Sequence, residues 1–140
     1  MNPLQSLPDY ERFIYALRQQ YPEILRSTLV VVRRGATVAV LSGELEFGKG
    51  IRLVVRERLT FAESPGWIHG YGYEVWQHEK QLYWYDSQPH PDDPALASTD
   101  PHHKHIPPDI KHHRVPAPNL AFSQPNLPFL IFEILELLHS

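Results

Sequence analysis

The sequence predicts an α+β protein, an antiparallel twisted sheet of about five strands with a helix at each end of the chain. A long proline- and histidine-rich loop precedes the last helix. Three observations carry this. Apolar residues recur at helical spacing near both termini, and they alternate with polar residues through most of residues 28–86. Ten of the fourteen prolines fall within residues 89–128, and six of the nine histidines fall within residues 90–113. The chain reads as one domain, residues 1–140. It divides into an N-terminal helical extension (1–26), the sheet (28–88), the loop (89–124) and a C-terminal helix (125–139).

Residues 6–21 place Leu7, Tyr10, Phe13, Ile14, Leu17 and Tyr21 at helical spacing. Ser6 is a good N-cap with Asp9 three residues on, and Pro22 ends the run. Residues 29–33 form a short β-branched strand closed by Gly35, and residues 37–47 form a second. Gly48-Lys49-Gly50 makes a tight hairpin turn into a third strand, residues 51–61. There Ile51, Leu53, Val55, Leu59 and Phe61 share a face with Glu57, while Arg52, Arg56 and Arg58 point the other way. An acid on an apolar face is costly unless it is paired. Either Glu57 belongs to a site or a bulge turns it outward. Residues 67–77 form a fourth strand, with Gly70 and Gly72 leaving open space opposite Tyr71 and Tyr73. Residues 81–86 form a fifth strand after the turn at His78-Glu79-Lys80. Residues 126–139 carry a broad apolar stripe, with Ser123 or Asn126 available as a cap. Between them, the prolines exclude a regular helix or a central strand. A long irregular segment of this kind is either functional or disordered.

The chain has no cysteine, which excludes a disulfide framework and thiolate metal sites and fits a reducing cytoplasm. No signal-peptide pattern opens it, and no run of about eighteen apolar residues would span a membrane. The formal net charge of -3 argues against coating nucleic acid by bulk charge and leaves room for a local phosphate site. An exposed edge strand would permit a homodimer.

The candidate residues are His102-His103-Lys104-His105 with Glu57, Tyr73, Asp86 and His90. Glu57, Tyr71-x-Tyr73, Tyr85-Asp86, Pro89-His90 and Pro101-His102-His103-Lys104-His105 occur in that order. This pattern resembles the TumE family of bacterial toxin–antitoxin toxins over residues 28–138, with the N-terminal helix as an addition ahead of the family's sheet. The Pro-His-His-Lys-His stretch is its most specific part. Two departures stand out. Trp84 replaces an arginine before the Tyr-Asp pair, and Pro91 follows His90 where the family shows a second histidine. The resemblance implies a small toxin restrained by a cognate antitoxin protein, with RNA cleavage as its expected activity.

Metal-independent RNA cleavage needs a base for the 2′-OH, an acid for the leaving oxygen and a cation for the phosphorane. In an extended stretch His103 and His105 point together, with His102 and Lys104 opposite. His103 and His105 are therefore the expected base and acid, in either order, with Lys104 on phosphate if the backbone turns there. Asp86 or Glu57 would orient an imidazole, and Tyr73 and His90 complete the set. No cofactor is expected. Two alternatives stand beside this reading. One is a metal-dependent hydrolase with His103, His105 and Asp86 as ligands, although neighbouring histidines such as His102 and His103 rarely face one ion. The other is a non-catalytic interaction loop. Lys111, His112, His113 and Arg114 form a basic patch, and Arg52, Arg56 and Arg58 form a row suited to a phosphate track.

Overall fold

Ser6 starts the first helix by accepting a hydrogen bond on its hydroxyl from the Asp9 N–H, 3.1 Å away. The computed structural model describes residues 2–140. Helix α1 (Leu7–Tyr15) breaks at Ala16 and continues as the single turn α2 (Leu17–Gln20), so the predicted continuous helix is two pieces. The strands are β1 (Arg26–Ser27), β2 (Val30–Arg33), β3 (Val38–Glu46), β4 (Ile51–Thr60), β5 (Trp67–Gln77), β6 (Lys80–Asp86), β7 (His103–His105) and β8 (Arg114–Pro116). Helix α3 (Leu127–Leu138) closes the chain.

All pairings are antiparallel, in the order β1-β3-β4-β5-β6-β7-β8, with β2 also paired to β3. The sheet thus has eight strands rather than about five. Strands β2 to β6 are the five expected. Of the three additions, β1 lies at the first edge, where it shares β3 with β2, and β7 and β8 come from the segment expected to be a loop. His103-Lys104-His105 contains no proline, so three residues supply the N–H groups to pair between β6 and β8. The rest of that segment is pinned. Leu96 is buried, the His90 N–H donates to Asp100, and Thr99 Oγ1 donates to the His102 carbonyl while accepting from the Ala117 N–H.

The two faces differ completely. Leu53, Val55, Leu59, Tyr73, Val75 and Tyr85 turn to one side and pack with Tyr10, Ile14 and Leu17 of the N-terminal helices and Leu127, Leu130 and Ile134 of α3. Among the described residues the opposite face has no helix on it. A one-residue bulge at His69, between the Arg58 and Leu59 pairings, keeps this alternation through the end of β4. Asn126 stands at the start of α3 without capping it. Its amide instead bonds the Ala121 N–H and carbonyl and donates to the Tyr73 hydroxyl, tying the preceding loop to the sheet. No helix among the described residues is long and apolar enough to cross a membrane.

Candidate functional site

The chemistry gathers on the open face. Asp86 ends β6 directly opposite His103, and Trp84 is opposite His105. Alternation along β7 sends both imidazoles to the Asp86 side and Lys104 to the other. His103 Nε2 lies 2.7 Å from Asp86 Oδ1, His105 Nε2 lies 3.4 Å from Oδ2, and the two Nε2 atoms are 3.1 Å apart. His103 is 1% exposed and His105 4%. Each Nδ1 faces a backbone carbonyl, Pro101 O at 3.0 Å and Ile110 O at 2.9 Å. A carbonyl can only accept, so each Nδ1 carries a proton, and each Nε2 either carries a second one, which from His103 would go to Asp86, or presents a lone pair. Trp84 covers the His105 ring at 4.2 Å and donates its own N–H to the Ile110 carbonyl.

Burial pushes the Asp86 carboxyl up. The His103 hydrogen bond, the Gln88 amide and the positive charge of the two imidazoles outweigh it and hold the group below its ordinary range. Burial lowers His105 despite the attraction of Asp86, which favours the neutral ring. His90 packs edge-on against His103, with ring centres 4.6 Å apart, and accepts from Arg114 Nη1 at 2.7 Å. Its basicity is lowered first by desolvation and then by Arg114. The Arg114 Nε is a buried donor with no partner among the described residues.

From this cluster a groove of about 820 Å³ runs across the open face towards β3. Arg56, Arg58, Gly70, Gly72, Trp84 and Asp86 line it. The two glycines act as beds for the arginines. A Cβ on Gly70 would stand 2.6 Å from Arg58 Nη2, and one on Gly72 would stand 3.2 Å from Arg56 Nη2. The guanidiniums therefore lie across β5 towards β6. Neither has an ion-pair partner among the described residues, whereas Arg52 pairs with Glu44.

The remaining expected site residues lie elsewhere. Lys104 is on the core side, 3.3 Å from Glu133 and 4.2 Å above the Tyr83 ring. Glu57 is buried on that same side, held by the Tyr10 hydroxyl and by the Tyr73 hydroxyl at 2.5 Å. Burial raises its carboxyl above the usual range, against the lowering from the two hydroxyls. Glu57 and Tyr73 are thus separated from Asp86 by the thickness of the sheet. His102 meets Tyr71 at 2.5 Å, beside Phe122. His112 and His113 sit on an exposed turn with Asp109 and Pro107. The structure brings together His90, His103, His105 and Asp86, and adds Arg114, Arg56 and Arg58 to them. The two Nε2 atoms converge on one point beside Asp86, 3.1 Å from each other.

A family model described as Toxin TumE matches residues 13–136 of the chain. The match begins inside α1, so the second half of the N-terminal helix lies within the family's span rather than ahead of it. No curated protein and no solved structure matches.

Proposed function

The chain belongs to the TumE toxin family, and on that premise we propose that it is a cytoplasmic toxin of a toxin–antitoxin pair that cleaves the phosphodiester backbone of RNA. The observation that supports this best is the groove. Two guanidiniums without ion-pair partners lie beside a buried carboxylate–imidazole cluster on an uncovered sheet face. Arginine holds phosphate in bidentate fashion, and no other anion among the described residues satisfies Arg56 or Arg58 within ion-pair distance. Single-stranded RNA brings its own nucleophile, the 2′-OH. One point of base chemistry beside a clamped phosphate is then enough to begin cleavage, and clustered rather than flanking imidazoles suit that task. The antitoxin is the expected partner that keeps the groove from RNA until it is removed.

The test is paired expression in bacteria of wild type, Asp86→Asn, His103→Ala/His105→Ala and Arg56→Ala/Arg58→Ala, followed by cleavage of a labelled single-stranded RNA by the purified proteins. Each lost charge-assisted contact is worth about 1.5–3 kcal/mol, so the arginine pair should lower kcat/KM by at least about 100-fold. The cluster variants should abolish cutting and growth arrest. Growth arrest by wild type with intact RNA would leave the toxin class standing and refute the RNA reading. Full cleavage by the double arginine variant would remove the groove from it.

A further inference from the structure

We propose that Asp86, His103 and His105 bind one divalent transition-metal ion, of the zinc kind, with its open coordination positions facing the groove. The argument begins with protons. Both Nδ1 atoms donate to backbone carbonyls, so in the neutral rings both Nε2 atoms carry lone pairs. Those lone pairs face one another at 3.1 Å, and Asp86 oxygens stand 2.7 Å and 3.4 Å from them. Three electron-rich atoms converge, with all three potential donor atoms within 4.8 Å of one another. Such a set repels itself unless something positive lies among the atoms, either a proton shared on one imidazole or a metal ion.

Three features favour the metal. Bonds of about 2.0–2.2 Å from a zinc ion to nitrogen and oxygen place neighbouring ligand atoms about 3 Å apart, close to the spacing seen. Each imidazole already has the outer partner that metal-ligating histidines use, an Nδ1–H bonded to a carbonyl. Two imidazoles and a carboxylate suit zinc, manganese or iron, and a set of three protein ligands leaves positions for water and substrate. Of the three ligands Asp86 lines the groove, while His103 and His105 are buried behind it, so an ion held here would meet the groove on the Asp86 side, the side of Arg56 and Arg58. Arg114 is the opposing charge nearby, and it is turned to His90.

The role of the ion rests on the phosphodiester reading; its binding does not. On an RNA substrate, water on the ion is deprotonated near neutral pH. The resulting hydroxide takes the 2′-OH proton and returns to bound water. O2′ bonds to phosphorus as the P–O5′ bond breaks, and O5′ takes a proton from solvent.

The experiment reads metal, not RNA. Chelator-stripped full-length protein is titrated with Zn²⁺ by calorimetry, and with Co²⁺ while visible absorption is followed. Wild type is compared with Asp86→Asn, His103→Ala, His105→Ala and the exposed-histidine control His112→Ala/His113→Ala. One equivalent should bind to wild type and to the control, with cobalt bands of four or five coordination. Each ligand variant should lose more than the roughly 10–100-fold that removal of an outer partner costs. Asp86→Asn changes no shape, so it serves if a buried histidine variant does not fold. Equal zinc affinity in wild type and Asp86→Asn, or loss of binding in the His112/His113 control alone, would overturn the proposal. So would full RNA cleavage by stripped protein that takes up no stoichiometric metal. Stoichiometric metal on a protein that leaves RNA intact would uphold the metal and overturn the RNA reading instead.

Discussion

Tyr73→Phe removes one oxygen from the middle of the molecule and tests how the sheet tolerates its buried acid. The Tyr73 hydroxyl donates to Glu57 Oε2 at 2.5 Å and accepts from Asn126 Nδ2 at 3.1 Å. Tyr73 is 0% exposed and Glu57 1%, so water cannot replace what is lost. A hydrogen bond to a charged group contributes about 1.5–3 kcal/mol and a neutral one about 1 kcal/mol. Asn126 keeps its bonds to Ala121, so its share of the loss is small. Glu57 keeps only the Tyr10 hydroxyl. The expected loss is about 3 kcal/mol, and at about 2–4 °C per kcal/mol for a chain of this size, Tm should fall by about 10 °C. Urea unfolding followed by tryptophan fluorescence, together with a thermal scan, measures both. In a Glu57→Gln background the same substitution should cost only about 1 kcal/mol, because the charge is gone. A Tyr73→Phe protein within 0.5 kcal/mol of wild type, or an unchanged loss in the Glu57→Gln background, would refute the reasoning. The result bears on function, since Glu57 sits between Arg56 and Arg58. Holding it on the core side fixes both arginines on the groove side.

Three further outcomes are expected. Burial raises the Glu57 carboxyl in the folded chain, so folding takes up a proton there. Its contribution to stability is full below the unfolded value of about 4.3 and is lost as pH rises through the raised folded value. Urea midpoints should therefore shift in favour of Glu57→Gln over wild type between pH 4 and pH 7, and a gap independent of pH contradicts this. Gly70→Ala puts a methyl 2.6 Å from Arg58 Nη2 and should swing that flexible guanidinium off the groove floor. Affinity for labelled single-stranded RNA should fall about tenfold, with stability within about 1 kcal/mol of wild type. Undiminished binding would show that the resting position of Arg58 is irrelevant. Lys104→Ala breaks a partly exposed pair with Glu133 and should cost at most about 1 kcal/mol, leaving the RNA cleavage rate unchanged. A lost rate would return Lys104 to the site.

Much of the scaffold was legible because it follows from period. The alternation through β4 put Glu57 with Leu53 and Val55, and the spacing of two put His103 with His105. Ser6 announced the first helix. What was not legible depends on distance along the chain or on very short elements. Nothing local tells that Tyr10 reaches Glu57 across 47 positions. Strands β7 and β8 are three residues each, too short for a periodicity to register among prolines. Gly70 and Gly72 read as empty space beside tyrosines. Their use is on the other face, as the floor under Arg58 and Arg56, which appears only once β4 and β5 are set in register.

Two short motifs serve both faces at once, and this ties the site to the core. In Tyr85-Asp86 the first residue reaches through the core to Glu133 of α3 at 2.9 Å, and the second turns out to the imidazoles. In His103-Lys104-His105 the outer two meet Asp86 and the middle one meets the same Glu133. Glu133 therefore fastens β6 and β7 from beneath, at the positions where Asp86 and His103 must stand opposite one another. A one-residue slip between these strands would send Lys104 outward and both histidines inward. Three backbone-paired residues would resist such a slip weakly on their own. The two Nδ1–carbonyl bonds and the pairing with β8 make the register of β7 a property of the whole fold, and the geometry of the cluster with it, so the register survives loss of the Lys104–Glu133 contact alone.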